Sequence, residues 1–178
     1  MQGNSGAPLL SQLMKTIIVG LGNPILGDDG VGWKVAEEVK RRLSPDSPVV
    51  VNCLSLGGIS LMERLIGYDR AILIDALAVQ GPPGSILTLS LEDLPNYSAY
   101  HTASTHDTTL QNALEMGRSI GAKLPSHVMV VGITANQVFE FSEQLTAEIR
   151  AAVPQAVNAV ISLLNDTDIA SSTVGRVT

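Results

Sequence analysis

Apolar and polar positions change period along the chain in a way that predicts strands and helices in alternation. An apolar, β-branched run over 16–21 predicts a first strand. Apolar residues then recur at helical spacing from Val31 to Leu43, which predicts a first helix. The glycine-rich segment 22–32 between them is predicted to be a loop.

The rest of the chain repeats this alternation. The same criteria predict strands at 49–54, 71–74, 86–91 and 128–133, and helices at 59–66, 110–120 and 145–164. Pro154 lies inside the last helix, where we expect it to cause a bend. A long loop rather than a helix follows the fourth strand, which predicts that this strand runs antiparallel to its neighbours.

This order of elements is typical of an α/β protein. We expect a three-layer α/β/α sandwich with a mostly parallel, twisted sheet of about five strands. The alternation covers residues 14–164, which we interpret as a single domain. Residues 1–13 and 165–178 lack a clear period, and we expect them to be a flexible N-terminal extension and a flexible C-terminal tail.

Composition supports a buried parallel sheet and argues against several classes of function. Apolar residues make up 45% of the 178 residues but aromatic residues only 3%, so Ala, Val, Ile and Leu must fill the core. The net charge is −6, and the only short basic run, at 40–42, ends the first predicted helix. Binding to nucleic acid or to an acidic membrane is therefore not expected.

The single cysteine and the lengths of the apolar segments indicate in which cellular compartment the protein is expected. Cys53 has no internal partner for a disulfide, and one cysteine is a poor basis for a structural zinc site. No apolar stretch is long enough to cross a membrane, and the N-terminus lacks the pattern of a signal peptide. These features predict a soluble, cytoplasmic protein.

The loop after the first strand carries two adjacent acids, Asp28 and Asp29. Its opening resembles a dinucleotide-binding fingerprint, but Ile25 stands where the third glycine is needed, and the Lys-Ser/Thr ending of a phosphate-binding loop is absent. Two carboxylates would also repel a pyrophosphate, so nucleotide binding is not expected. One acid is enough to cap the first helix, and two exceed what a cap requires.

The opening of this loop also invites a second comparison. Residues 19–24 resemble the start of peptidyl-tRNA hydrolases. The segment 25–29 lacks that family's continuation, and the chain lacks a basic surface for RNA. Hydrolysis of peptidyl-tRNA therefore stays a remote alternative.

Three polar residues are predicted to converge at one edge of the sheet. Asp29 lies in the loop leaving the first strand, and Asp75 sits at the end of the third, immediately after four mostly apolar residues. His106 precedes a helix that must start at the carboxyl edge, because it leads into a parallel strand. Two carboxylates and one imidazole leave coordination positions open and suit nickel or zinc. His101, further back in its loop, and His127, which we expect to open the fifth strand on the opposite edge, are weaker candidates.

With these residues in view, the chain resembles the hydrogenase maturation endopeptidases over residues 15–164. The resemblance rests on several short motifs: Gly22-Asn23, the Gly-Asp-Asp-Gly-Val-Gly run at 27–32, Gly57-Gly58, Ile74-Asp75-Ala76, Pro83-Gly84, Ser104-Thr105-His106 and the Val-Gly-Ile run at 131–133. The family's metal-binding trio of an acid, an Asp and a His falls on Asp29, Asp75 and His106. The family commonly has Asp just before the glycine turn, where this chain has Ser55-Leu56.

The resemblance implies a specific activity. It implies an endopeptidase that removes the C-terminal extension of a nickel–iron hydrogenase large-subunit precursor, once nickel has been inserted. Nickel would be presented by the substrate, other divalent metals could substitute for it in crystals, and Asp29, Asp75 and His106 would be both ligands and catalytic groups. It also implies a monomer. A non-catalytic, metal-sensing docking or chaperone protein of the same fold, acting on a metalloenzyme partner, is the alternative.

Overall fold

A computed structural model of the protein describes residues 14–94, 108–136 and 141–166. The strands are β1 (Thr16–Leu21), β2 (Val50–Leu54), β3 (Arg70–Leu77), β4 (Ile86–Ser90) and β5 (His127–Thr134). The helices are α1 (Val31–Arg42), α2 (Gly58–Leu65), α3 (Leu110–Ser119) and α4 (Ala147–Asn165). Short 3₁₀ turns span Gly27–Gly30 and Leu91–Asp93. None of the helices in these ranges combines the length and hydropathy needed to cross a bilayer.

The five strands form one sheet in the order β2-β1-β3-β5-β4. β1 pairs in parallel with β2 and β3, and β3 pairs in parallel with β5. β4 pairs antiparallel with β5 at the edge of the sheet. The predicted α/β class, the mostly parallel sheet and the antiparallel fourth strand are confirmed.

Each face of the sheet has its own apolar core. On one face α1 and α4 cover the sheet, and on the other face α2 and α3 do so. The strand residues buried on the α1/α4 face include Ile18, Ile72, Ile74, Val131 and Ile133, and those on the α2/α3 face include Ile17, Val19, Leu21, Leu73 and Val130. The strands alternate between the two cores because successive side chains of a strand point to opposite faces.

Several element boundaries differ from prediction. β1 has the predicted bounds, but β3 extends to Leu77, so the prediction that the third strand ends at Asp75 is wrong: Asp75 lies within it. The extra residues pair only with β5, through Thr134, which a sequence pattern does not reveal. α4 begins at Ala147, slightly later than predicted, and continues through Pro154. The bend at Pro154 stays a prediction.

Both predicted flexible termini fall largely on residues that the structure does not describe. Residues 1–13 lie outside the described part of the chain, and so do residues 167–178. The proposed limits of the domain therefore stay predictions.

A polar cluster holds the amino edge of the sheet. The Asp69 carboxylate accepts a hydrogen bond from the backbone N–H of Lys15 at 2.9 Å and lies 3.1 Å from Nζ of Lys123. The backbone N–H of Asp69 donates in turn to the Lys15 carbonyl. These interactions, the Lys15 bond first, hold the pKa of Asp69 below its ordinary value of 3.8. The cluster joins the start of β1 to the turn before β3.

We expect the substitution Asp69→Asn to lower the free energy of unfolding at pH 7 by less than about 1 kcal/mol, because the side chain is partly exposed. Asp69 has a lowered pKa in the folded state. Its contribution is therefore present above the unfolded pKa and disappears as the pH falls through the folded pKa. Urea unfolding of both proteins at pH 7 and in acid measures this difference. A gap between the two proteins that stays constant into acid would contradict the assignment.

Candidate active site

Asp75 is a fully buried carboxylate at the carboxyl edge of the sheet, with 0% of its surface exposed. The β1–β3 register ends with Gly20 opposite Ile74, and β1 itself ends one residue later. Asp75 then pairs with Gly132 of β5. It therefore lies at the step where β1 stops and β3 continues.

The strand neighbours of Asp75 on its own face of the sheet are apolar. Leu73 and Leu77 precede and follow it on the face covered by α2 and α3. Leu77 also lies over Gly132, where an added Cβ would come within 2.1 Å of its Cδ1 atom. A carboxylate in such a place is costly to bury unless it is hydrogen-bonded, paired or used as a ligand. Its position inside a paired strand makes it a rigid group.

The loop that carries Asp29 packs closely against the same carboxyl edge of the sheet. A Cβ added to Gly32 would lie 2.2 Å from the Leu21 carbonyl oxygen and 2.5 Å from that of Ile74. The chain just after Asp29 therefore contacts the carboxyl end of β1 and the backbone of β3 at Ile74, next to Asp75. Only glycine allows this approach. Asp29 and Asp75 come to one edge because α1 begins directly on the step between the two strands.

The two adjacent acids have different partners. The Asp28 carboxylate accepts hydrogen bonds from the backbone N–H of Thr146 at 2.7 Å and from its hydroxyl at 2.9 Å. Oδ2 of Asp29 accepts a hydrogen bond from the backbone N–H of Asn23 at 2.6 Å. Gly30 is the N-cap of α1, with no side-chain cap. Neither acid therefore supplies a side-chain cap to α1, and Asp28 instead binds Thr146, the N-cap residue of α4.

We expect Asp28→Asn to destabilise the fold by about 1–2 kcal/mol, because it removes the charge and one acceptor from the two bonds to Thr146. Urea unfolding measures the change. Asp46→Asn is a matched control, since Asp46 is an exposed acid in the turn after α1. Equal stability of the two variants would show that the bonds to Thr146 contribute nothing.

His106 lies outside the described residues, as does His101, so the histidine of the predicted trio stays a prediction. The chain is described again from Thr108, whose carbonyl oxygen would lie 2.8 Å from a Cβ added to Gly58. Gly58 begins α2 just beyond the carboxyl end of β2. The residue two positions after His106 is therefore at the predicted edge. His127 begins β5 at the opposite edge, as predicted.

The described part of the chain contains no group of three or more His, Cys, Asp and Glu side chains arranged to hold a metal ion. It does contain the two carboxylates of the predicted trio, Asp29 and Asp75. An ion held at this edge would need donors beyond these two.

Ser55 makes a contact at this edge that the sequence pattern does not predict. The Ser55 hydroxyl donates to the Gly22 carbonyl at 2.7 Å and so joins the loop after β2 to the loop after β1. Nearby, Nε1 of Trp33 donates to the Leu54 carbonyl at 3.3 Å. The only sequence signal for Ser55 is its place just before the Gly57-Gly58 turn.

Cys53 lies within β2, as predicted, and is half-buried. Burial, and next the charge of Glu37, raise the pKa of its thiol above the ordinary value of 9.0. The thiolate is the reactive form, so Cys53 is a poor nucleophile at neutral pH.

Comparison with known proteins adds a consistent set of matches. The sequence model of the hydrogenase maturation protease family matches residues 33–163. The hydrogenase expression/formation protein HupD of Thiocapsa roseopersicina is 24% identical over 148 residues, which cover 83% of this chain and 66% of HupD. The chain thus spans slightly under two thirds of that relative. The hydrogenase 2 maturation protease of Escherichia coli is 24% identical over 158 residues, covering 88% of this chain and 94% of the relative.

The solved structures agree with these sequence matches. The hydrogenase maturating endopeptidase HybD from E. coli superimposes with a TM-score of 0.69 and 25% identity, covering 86% of this chain and 94% of HybD. A hydrogenase 2 maturation peptidase from a Thaumarchaeota archaeon gives a TM-score of 0.61 and 27% identity, covering 85% of this chain and 98% of that structure.

Proposed function

The chain belongs to the hydrogenase maturation protease family, a family of hydrolases, and from this premise we propose that it is a nickel-dependent endopeptidase. Its substrate is the large-subunit precursor of a nickel–iron hydrogenase, from which it removes the C-terminal extension. The nickel belongs to the substrate, because it is already seated in the precursor when the two proteins meet.

The observation that carries this proposal is the buried carboxylate of Asp75 beside the loop of Asp29. Asp75 has no exposed surface, whereas Asp29 is partly exposed on its 3₁₀ turn. An ion that arrives with the substrate would therefore meet the more exposed Asp29 before it meets the buried Asp75. Carboxylate oxygens together with an imidazole, which we assign to His106, form a donor set that suits a borderline divalent ion.

Asp75 and Asp29 have different parts in the proposed reaction. Asp75 is rigid because its strand is paired, so it holds its position when the substrate arrives. Asp29 is oriented by the N–H of Asn23, and in the proposed reaction its carboxylate acts as ligand or as general base toward the attacking water. Nickel seated in the precursor would polarise the scissile carbonyl and orient the tail.

We expect cleavage of nickel-loaded precursor and no detectable cleavage of nickel-free precursor, a difference of at least about a hundredfold in rate. The reason is that the carboxylates orient the tail only through the ion. Intact mass spectrometry of the precursor, incubated in each state with the purified protein, measures the loss of the extension. Nickel-free precursor reloaded with nickel is the matched control.

Two results would count against this proposal. Equal cleavage of both precursors would remove nickel from the mechanism while leaving the protease activity. Nickel-sensitive binding of the precursor with no loss of mass would favour the alternative, a non-catalytic docking protein for the metalloenzyme.

A further inference from the structure

One peptide unit at the carboxyl edge is held on both sides by side chains of different elements. The carbonyl of Gly22 accepts a hydrogen bond from the Ser55 hydroxyl at 2.7 Å. The N–H of Asn23 donates to Oδ2 of Asp29 at 2.6 Å. The Gly22 carbonyl and the Asn23 N–H belong to the same planar peptide bond, so neither group can turn without the other.

We propose that Ser55 is a positioning residue that fixes the carboxylate of Asp29 through the Gly22–Asn23 peptide. This inference rests on the proposed function, because it assumes that Asp29 acts in the reaction. Ser55 touches neither Asp29 nor the substrate in this proposal. It acts only by holding the plane of the peptide that holds Asp29.

The local backbone explains why this peptide needs an external partner. Gly22 has a φ of +124°, which residues with a side chain rarely adopt. Because glycine has no Cβ, sterics restrict the rotation of the Gly22–Asn23 peptide plane less than they would at another residue. Beyond Asn23 the turn is closed by the hydrogen bond from the Leu26 N–H to the Asn23 carbonyl. The Ser55 bond therefore constrains the plane on its flexible side.

Polarisation of the Gly22–Asn23 amide by the Ser55 hydroxyl also favours the bond to Asp29. A donor on a peptide carbonyl polarises the amide and strengthens the hydrogen bond that its N–H donates. The Ser55 hydroxyl thus reinforces the Asn23–Asp29 bond as well as orienting it. Loss of the hydroxyl should loosen the Asp29 carboxylate without removing any group that contacts substrate.

A general role in folding is a weaker explanation of Ser55. The end of β2 is already attached to α1 by the bond from Trp33 to the Leu54 carbonyl, and β2 is paired with β1 along its length. Ser55 itself is exposed and follows the strand. We therefore expect Ser55→Ala to fold normally.

The test compares Ser55→Ala, Ser55→Thr and Ser60→Ala, the last being a control at an exposed serine of α2. The first readout needs no substrate: the chemical shift and hydrogen exchange of the Asn23 backbone amide, measured by NMR. The second readout is kcat and KM for cleavage of nickel-loaded precursor. We expect Ser55→Ala alone to speed exchange at Asn23 about threefold to tenfold, and to lower kcat by a similar factor with KM within about twofold.

Each outcome decides the question. Near-normal behaviour of Ser55→Thr and Ser60→Ala beside an impaired Ser55→Ala supports the proposal. An unchanged Asn23 amide in Ser55→Ala overturns it, whether or not the wild-type protein cleaves the precursor. A changed amide with unchanged kcat, or a raised KM with normal kcat, also overturns it. If the wild-type protein cleaves no precursor, the proposed function fails, while a changed amide still supports the Ser55–Asp29 connection.

Discussion

The substitution Asp75→Asn is expected to lower the rate of precursor cleavage more than about a thousandfold. Asn keeps the size and shape of the side chain but replaces an anionic oxygen with an NH₂ group, which cannot bind a cation or accept a proton. Asp75 is fully buried within a paired strand, so the substituted side chain stays at the same position. The loss should appear in kcat rather than in binding of the precursor's folded body.

Intact mass spectrometry of nickel-loaded precursor over time measures the rate, and urea unfolding of the variant checks the fold. Asp46→Asn makes the same chemical change at an exposed position and should cleave normally. An Asp75→Asn protein that is folded and fully active would remove Asp75 from the mechanism. A variant that fails to fold would be replaced by Asp75→Glu, which keeps the charge but moves it, and which should also lose most activity.

The substitution Gly32→Ala is expected to lower the free energy of unfolding by more than about 3 kcal/mol. The added Cβ would meet the carbonyl oxygens of Leu21 and Ile74 at 2.2 and 2.5 Å, and both are backbone atoms. A change of rotamer cannot relieve such a contact. α1 would have to move off the sheet, away from its close packing on Gly20.

Urea unfolding of the Gly32→Ala protein measures the loss of stability. Lys34→Ala, on the exposed side of the same helix, should change stability by less than about 0.5 kcal/mol. Because the movement of α1 also displaces the 3₁₀ turn with Asp29, any folded Gly32→Ala protein should cleave slowly. Normal stability of Gly32→Ala would mean that α1 does not sit on the step between β1 and β3.

The elements of the fold were largely predictable because their apolar periods are local. β1 lies between two buried cores and reads as a continuous apolar run, and α1 shows a regular apolar stripe. The antiparallel β4 was predictable from the absence of a crossover helix after it. The end of β3 was not predictable, since its final residues are strand only through pairing with β5.

The different roles of the two adjacent acids, Asp28 and Asp29, could not be predicted from the sequence. Residue type and place in the loop made both Asp28 and Asp29 candidates, and nothing local separates them. The partner of Asp28 is Thr146, which is 118 positions away along the chain. Ser55 was missed for the same reason, because its bond to Gly22 joins two separate loops.

The amino-acid sequence by itself determined the α/β class, the parallel core and the placing of Asp29 and Asp75 at one edge. These follow from periodicity and from the rule that parallel strands share a carboxyl edge. Only the tertiary structure decided that Asp75 is fully buried and that the chain at Gly32 lies against the backbone of β1 and β3 beside it. It also decided that the Asp28 carboxylate binds Thr146 at the N-terminus of α4. The physical reason is that burial, close backbone approach and long-range hydrogen bonds depend on strand register and helix placement, which no local pattern encodes.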